Sequence, residues 1–209
     1  MRREVARALW DFLKCGLPEL GCARLACDGC GRVMLLVFSC KRRGLCPSCE
    51  AKRAELFCRH VGGRVVAPVP HRQIVLSIPR VLRPPLQRHP RLLRELARCG
   101  AQAIEDVIRA VAPRDQVALI VVIQTWGSLL DGFHPHLHVV MADGSFDPLG
   151  RFRRLPPGWS DALLARFRER VFTLLIERRL LRPETAARLR RWRRSGLGRL
   201  RRPSRPRRR

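Results

Sequence analysis

Three of the six histidines in this 209-residue chain lie within five residues, in HPHLH at 134–138. Side chains alternate across a β-strand, so His136 and His138 share one face while Leu137 and Val139 take the other. Neutral imidazole is a good ligand for divalent metals, and two of them leave positions open for a third protein group, water or a phosphate oxygen. That is the layout of a catalytic site rather than a closed structural one. The competing reading of the same residues is a set of surface or half-buried histidines at a strand end.

Nine cysteines supply a second source of ligands. CDGC at 27–30 and CPSC at 46–49 are separated by fifteen residues, the paired Cys-x2-Cys spacing of a zinc site. Each pair forms a tight knuckle, and the intervening VMLLVFSC predicts a strand that brings the second knuckle beside the first. Cys27, Cys30, Cys46 and Cys49 then close a tetrahedral structural Zn2+ site. Cys40 lies within reach as a substitute, and Cys15 and Cys22 could build part of another site; spacing favours the four named. Lys41, Arg42 and Arg43 lie between the knuckles, with Lys52 and Arg53 just after. Such cations suit phosphate contacts that fix position without reading sequence, the alternative being an ordinary solvated face.

The charge balance points to the same kind of partner. Forty-three basic against 17 acidic residues leave a net charge of +26, and self-repulsion of that size favours a polyanion such as nucleic acid. Only Lys14, Lys41 and Lys52 among the cations are lysines; GC-rich codon usage accounts for arginine over lysine, but not for base over acid. A hydrophobic fraction of 46% excludes wholesale disorder. The longest purely apolar run, Val117 to Ile123, falls far short of the roughly 18 residues of a membrane span. MRREVARALWDFLK lacks the apolar region of a signal peptide. The expectation is a cytoplasmic protein whose cysteines bind metal rather than pair as disulfides.

The elements that must position these residues follow from pattern. Val5, Leu9, Phe12 and Leu13 predict a helix over 3–14, ended by Gly16, Pro18 and Gly21. A second helix is expected at 48–60, punctuated by Gly62 and Gly63, with a domain boundary near residue 66 before APVP. HRQIVLSIP at 71–79 reads as a strand with Gln73, Val75 and Ser77 on one face and Ile74, Leu76 and Ile78 on the other. A helical pattern spans 90–111, with Gly100 weakening its continuity. VALIVVIQ at 117–124, apolar on both faces, predicts a central strand. A loop over 126–135 and the strand HLHVVMA at 136–142 follow, closed by the Asp143-Gly144 turn. Ser160-Asp161 is expected to cap a helix carrying Leu163, Leu164, Phe167 and Val171. From Ala186 onward, twelve arginines and no acid in 24 residues predict a disordered tail able to neutralise phosphates.

Three stretches in one order, SCKRRGLCPSC, VPHRQIVLSIPRVLRPPL and QTWGSLLDGFHPHLHVVMADGSF, resemble the transposases of the insertion sequence 91 family. These are rolling-circle enzymes of the HUH superfamily with an N-terminal zinc-binding domain, and the likeness covers roughly residues 12 to 197. The resemblance implies that the four cysteines belong to the zinc-binding module and that His136 and His138 hold a Mg2+ or Mn2+ ion. His134 shares their parity and is a neighbour rather than a ligand; Gln124 and Asp131 are candidates for a third ligand. It also implies nicking and rejoining of single-stranded DNA, at element ends, by tyrosine nucleophiles downstream of the metal strand.

This chain contains no tyrosine, so no catalytic nucleophile is identifiable. The expectation is therefore an α+β protein in three parts. A small, ribbon-like zinc-binding module spans 1–66, an incomplete HUH-like antiparallel sheet with flanking helices spans 67–185, and the arginine-rich tail spans 186–209. Its function is expected to be that of a rolling-circle DNA transposase, here an inactive fragment shifted in frame or truncated near Leu197. The alternatives are a non-catalytic zinc-containing DNA-binding protein and, disfavoured by the lack of stacking aromatics on a recognisable strand motif, an RNA-binding one.

Overall fold

The structure, a computed structural model, describes residues 2–42, 44–127, 132–191 and 199–200. The chain forms two compact units, Met1–Ala67 and Pro68–Arg209.

In the first unit, helix α1 (Arg3–Leu13) leads into a hairpin of β1 (Cys22–Ala26) and β2 (Val33–Val37), followed by helix α2 (Pro47–His60). The hairpin is antiparallel and in register from Cys22 opposite Val37 to Ala26 opposite Val33. Proline opens α2 at a position where its missing N–H costs nothing. The two glycines after α2 do not end it abruptly: Val61–Val65 adds one wider turn. Among the described residues of this unit Cys46 alone is buried, while Trp10, Leu13, Met34, Leu35, Phe38, Leu56 and Phe57 stay exposed. A unit of this size without an apolar core needs another staple.

The second unit is built on a four-stranded sheet. Its elements, in chain order, are β3 (His71–Ser77), α3 (Arg83–Arg88), α4 (Leu92–Val111), β4 (Leu119–Trp126), β5 (Phe133–Ala142), β6 (Gly144–Phe146), β7 (Phe152–Arg154), α5 (Trp159–Glu177), α6 (Pro183–Arg190) and β8 (Arg199–Leu200). The sheet order is β4-β5-β3-β8, and every pair is antiparallel. Ile74, Leu76, Leu137, Val139 and Met141 are wholly buried, in one core with Leu96, Ile104 and Ile108 of α4 and Leu163, Phe167 and Val171 of α5. Alternation then sends Gln73, Val75, Ser77, His136, His138 and Val140 to the opposite face, where Gln73 and Val140 are exposed and the others half-buried. Together the two units make an α+β chain, a cysteine-bearing module and an antiparallel sheet with helices.

Several expectations change here. The 117–124 stretch forms an edge strand among the described residues, not a central one: β4 pairs only with β5, and Val122 and Ile123 remain exposed. The central position belongs to β5, and its strand runs through Pro135, whose side chain is buried. Helix α4 is continuous over 20 residues. A Cβ on Gly100 would lie 2.6 Å from Leu137 Cδ1 and 3.3 Å from Leu76 Cδ1, so the glycine lets the helix approach the sheet rather than breaking it. Helix α5 begins at Trp159 after Gly158, which takes the left-handed conformation with φ of 81°, one residue before the expected cap. Folded structure also continues past residue 185, since α6 reaches Arg190 with Ala186 and Leu189 buried. The expected disorder at 192–198 and 201–209, like Arg43 and Asp131, lies outside the described residues.

Candidate metal centres

The Sγ atoms of Cys15, Cys40, Cys46 and Cys49 lie within 4.8 Å of one another. Cys15 and Cys49 are 3.6 Å apart, Cys40 and Cys49 3.6 Å, and Cys46 and Cys15 3.5 Å. A tetrahedron with Zn–S bonds of ~2.3 Å has edges of about 3.8 Å, so these four thiols fit zinc with little adjustment. The Cys40 backbone N–H also donates to Cys15 Sγ at 3.4 Å, a polar contact that suits a thiolate.

The thiols divide their protons unevenly. Desolvation pushes Cys49 up, yet hydrogen bonding with Cys15 and Cys40 outweighs it and holds the thiol at about 7. The Cys40 N–H pulls Cys15 down, but hydrogen bonding with Cys46 together with burial pushes it to about 12. Metal binding must therefore displace protons from this cluster.

Cys46 and Cys49 thus meet Cys15 and Cys40, and not Cys27 and Cys30. The hairpin explains the exchange. Cys27 and Cys30 occupy its turn, where the Cys27 N–H donates to Arg32 O at 2.9 Å and the Gly31 N–H to Cys27 O at 2.8 Å. Cys15 precedes β1 and Cys40 follows β2, so both lie at the open end, which the Gly16 N–H to Phe38 O bond of 3.2 Å ties together. Four residue steps separate turn from open end, about 14 Å at ~3.4 Å each, far beyond shared coordination. Cys27 and Cys30 form an exposed knuckle of their own, in which hydrogen bonds from the Cys30 thiol and then from the Cys30 and Gly29 N–H groups hold the Cys27 thiol below its usual value.

Of the cations assigned to phosphate contacts, Arg42 donates through Nε to Asp11 at 2.9 Å and Arg53 pairs with Glu50 at 3.6 Å. Lys41 and Lys52 are exposed.

On the face of the sheet opposite the apolar core, the rings of His136 and His138 lie 4.9 Å apart and those of His134 and His136 5.1 Å apart. Antiparallel pairing sets Ser77 and Gln124 on either side of His136, and Val75 and Val122 on either side of His138. His136 Nδ1 is 2.7 Å from His134 O. A carbonyl only accepts, so Nδ1 carries the proton and a neutral ring keeps its free lone pair on Nε2. The Gln73 amide nitrogen lies 3.1 Å from His138 Nδ1 and donates to it; the alternation of HRQIVLSIP places Gln73 on this face. Among the described residues no third His, Cys, Asp or Glu joins them.

Residues 1–78 match the family model described as "Transposase zinc-binding domain", and residues 118–195 match one described as "Putative transposase". The chain belongs to the insertion sequence 91 transposase family. The zinc-binding domain of this insertion sequence 91 family member contains the four-cysteine cluster, and the second match takes in β4, β5 and the histidine row. The chain is 29% identical over 147 residues to "Transposase for insertion sequence element IS801" of Pseudomonas savastanoi pv. phaseolicola, a match covering 69% of this chain and 34% of that one. It is 28% identical over 150 residues to "Putative transposase y4qJ" of Sinorhizobium fredii, covering 65% and 34%. The chain thus spans about a third of the length of these relatives. No solved structure matches it. No helix among the described residues is long and apolar enough to cross a membrane.

Proposed function

We propose that this chain carries the DNA-handling sheet of a rolling-circle transposase, with a structural zinc held by Cys15, Cys40, Cys46 and Cys49 and a Mg2+ or Mn2+ ion held by His136 and His138. The observation that carries this reading is the pair of imidazoles on the face of an antiparallel sheet opposite its apolar core, with rings 4.9 Å apart and the free lone pair of His136 on Nε2. Bound there, a divalent ion would polarise a phosphate and neutralise charge developing on its oxygens. The chain's own residues hold the ring orientations, while the +26 net charge draws a single strand of DNA by releasing its counterions.

The 209 residues include no tyrosine, hence no phenol to form a covalent link to DNA, and in this reading the chain binds DNA without joining to it. The test is binding of a labelled single-stranded oligonucleotide with Mn2+ or with chelator, using the chain and its His136→Ala/His138→Ala variant. Mn2+-dependent tightening lost in the variant supports the reading. Equal affinity under all conditions favours a non-catalytic zinc-containing DNA-binding protein, and a covalent adduct overturns the expected lack of strand transfer.

A further inference from the structure

We infer that Cys27 and Cys30 form half of a second zinc site, completed by the same two cysteines of a second copy of this chain, so that one ion bridges two hairpin tips. The inference is independent of the histidine pair. It also goes beyond the four-cysteine cluster, which one chain closes by itself.

The turn between β1 and β2 is already shaped as a metal-binding knuckle. The Cys27 N–H donates to Arg32 O at 2.9 Å, and the Gly31 N–H donates to Cys27 O at 2.8 Å. Gly31, directly after the second cysteine, takes a φ of +67°, a conformation that glycine adopts without the penalty of a Cβ. The fold so obtained turns the Gly29 and Cys30 N–H groups onto the Cys27 sulfur, and the Cys30 thiol hydrogen-bonds to it as well. Two neighbouring sulfurs supply one edge of a tetrahedron, and N–H groups aimed at sulfur favour the thiolate that zinc requires.

The remaining edge must come from elsewhere. A structural zinc takes four ligands, and among the described residues no third His, Cys, Asp or Glu converges on this pair. Both cysteines are exposed at the tip of the hairpin, so a second tip can reach them. A two-fold axis through the ion would bring up an identical pair, the self-complementary contact of a symmetric dimer. The strands behind the tip suit the same partner. Leu25 lies opposite Met34 and Ala23 opposite Leu36, so Leu25, Met34 and Leu36 share one face of the hairpin, and all three are exposed. Zinc with four thiolates is anionic, and the exposed Arg24 and Arg32 beside the tip offset that charge. The +26 net charge of each copy opposes association at low ionic strength, and salt screens it.

The test uses the full chain in ~0.5 M salt, where the screening length is only a few ångströms, with a phosphine reductant and Zn2+ alone as the probe. Mass by light scattering and bound zinc are followed together for the chain and for Cys27→Ser/Cys30→Ser. The expected result is conversion from monomer to dimer as zinc rises from about one to about one and a half ions per chain, reversed by a chelator. The double variant should stay monomeric and keep its first zinc. A chain that stays monomeric at saturating zinc overturns the inference. So does a second full equivalent bound without association, or a dimer that persists in the variant. Should the variant not fold, Co2+ titration of the unaltered chain decides. A second rise in thiolate absorption that ends half an equivalent after the first supports the shared site, and a second step without thiolate absorption overturns it.

Discussion

The thiol of Cys40, three residues beyond the end of β2, is worth more to the zinc cluster than the paired spacing of Cys27 and Cys30 suggests. It contacts Cys49 at 3.6 Å, and its backbone N–H supports Cys15. Cys40→Ser should therefore remove tightly bound zinc, whereas Cys27→Ser should retain at least one equivalent; zinc content after exhaustive dialysis, or cobalt substitution followed by its thiolate absorption, measures both. The reverse pattern would restore the assignment drawn from spacing. Cys46 and Cys49 are legible in the sequence because CPSC is a local knuckle whose ligands its own turn brings together. Cys15 and Cys40 are 25 residues apart and meet only because the hairpin returns the chain to its starting end. His136 and His138 are legible for the opposite reason: strand alternation is local, so two residues suffice to put both on one face. Gln73 needs the register of β3 on β5, which no local pattern states.

Helix α4 is the element whose sequence and structure disagree most instructively. Gly100 reads as a weak point, yet its missing side chain is what admits Leu137 and Leu76. Gly100→Val should destabilise the second unit by about 1 to 3 kcal/mol through overpacking, a shift measurable as a lower urea midpoint; a neutral or stabilising result would mean the core can yield at Leu137. The same helix is clamped to α5 by Arg170, which donates to both oxygens of Asp106 at 2.7 and 2.8 Å. That hydrogen bonding holds the Asp106 carboxyl below its ordinary 3.8, so its contribution is present above 3.8 and lost as pH falls through the lower folded value. Asp147 behaves likewise, held down first by the Arg151 N–H. Urea midpoints should fall below about pH 4, and Asp106→Asn should flatten that acid limb; an unchanged limb would remove the clamp from the account. Strand β4 misleads for a related reason. Its apolar residues on both faces imply two covers, but one face looks onto the histidine side of the sheet, which helices α4 and α5 do not cover.

At the scale of the whole molecule, the two units rest on different physics. The second has an apolar core of sheet and helices, while the first buries a cysteine and leaves Trp10, Leu13, Met34, Leu35, Phe38, Leu56 and Phe57 exposed. Structural zinc contributes folding free energy directly in such small modules, so a strong chelator should abolish the structure of residues 1–67 and leave the β3 to β5 core intact. Amide exchange read unit by unit distinguishes this from a single concerted loss, which would show the two to be one cooperative body. The sequence by itself determined the local facts: helices α1, α2 and α4, the parity of the histidines, the CPSC knuckle, the basic excess, and the family likeness carried by three ordered motifs. Each depends on neighbours within a few residues or on composition, and needs no knowledge of the rest of the chain. The tertiary structure decided which cysteines converge, which strand is central, why Gly100 is a glycine, and which side chain faces Nδ1 of His138. Those outcomes depend on hairpin register and helix-to-sheet approach, set by contacts between residues tens of positions apart.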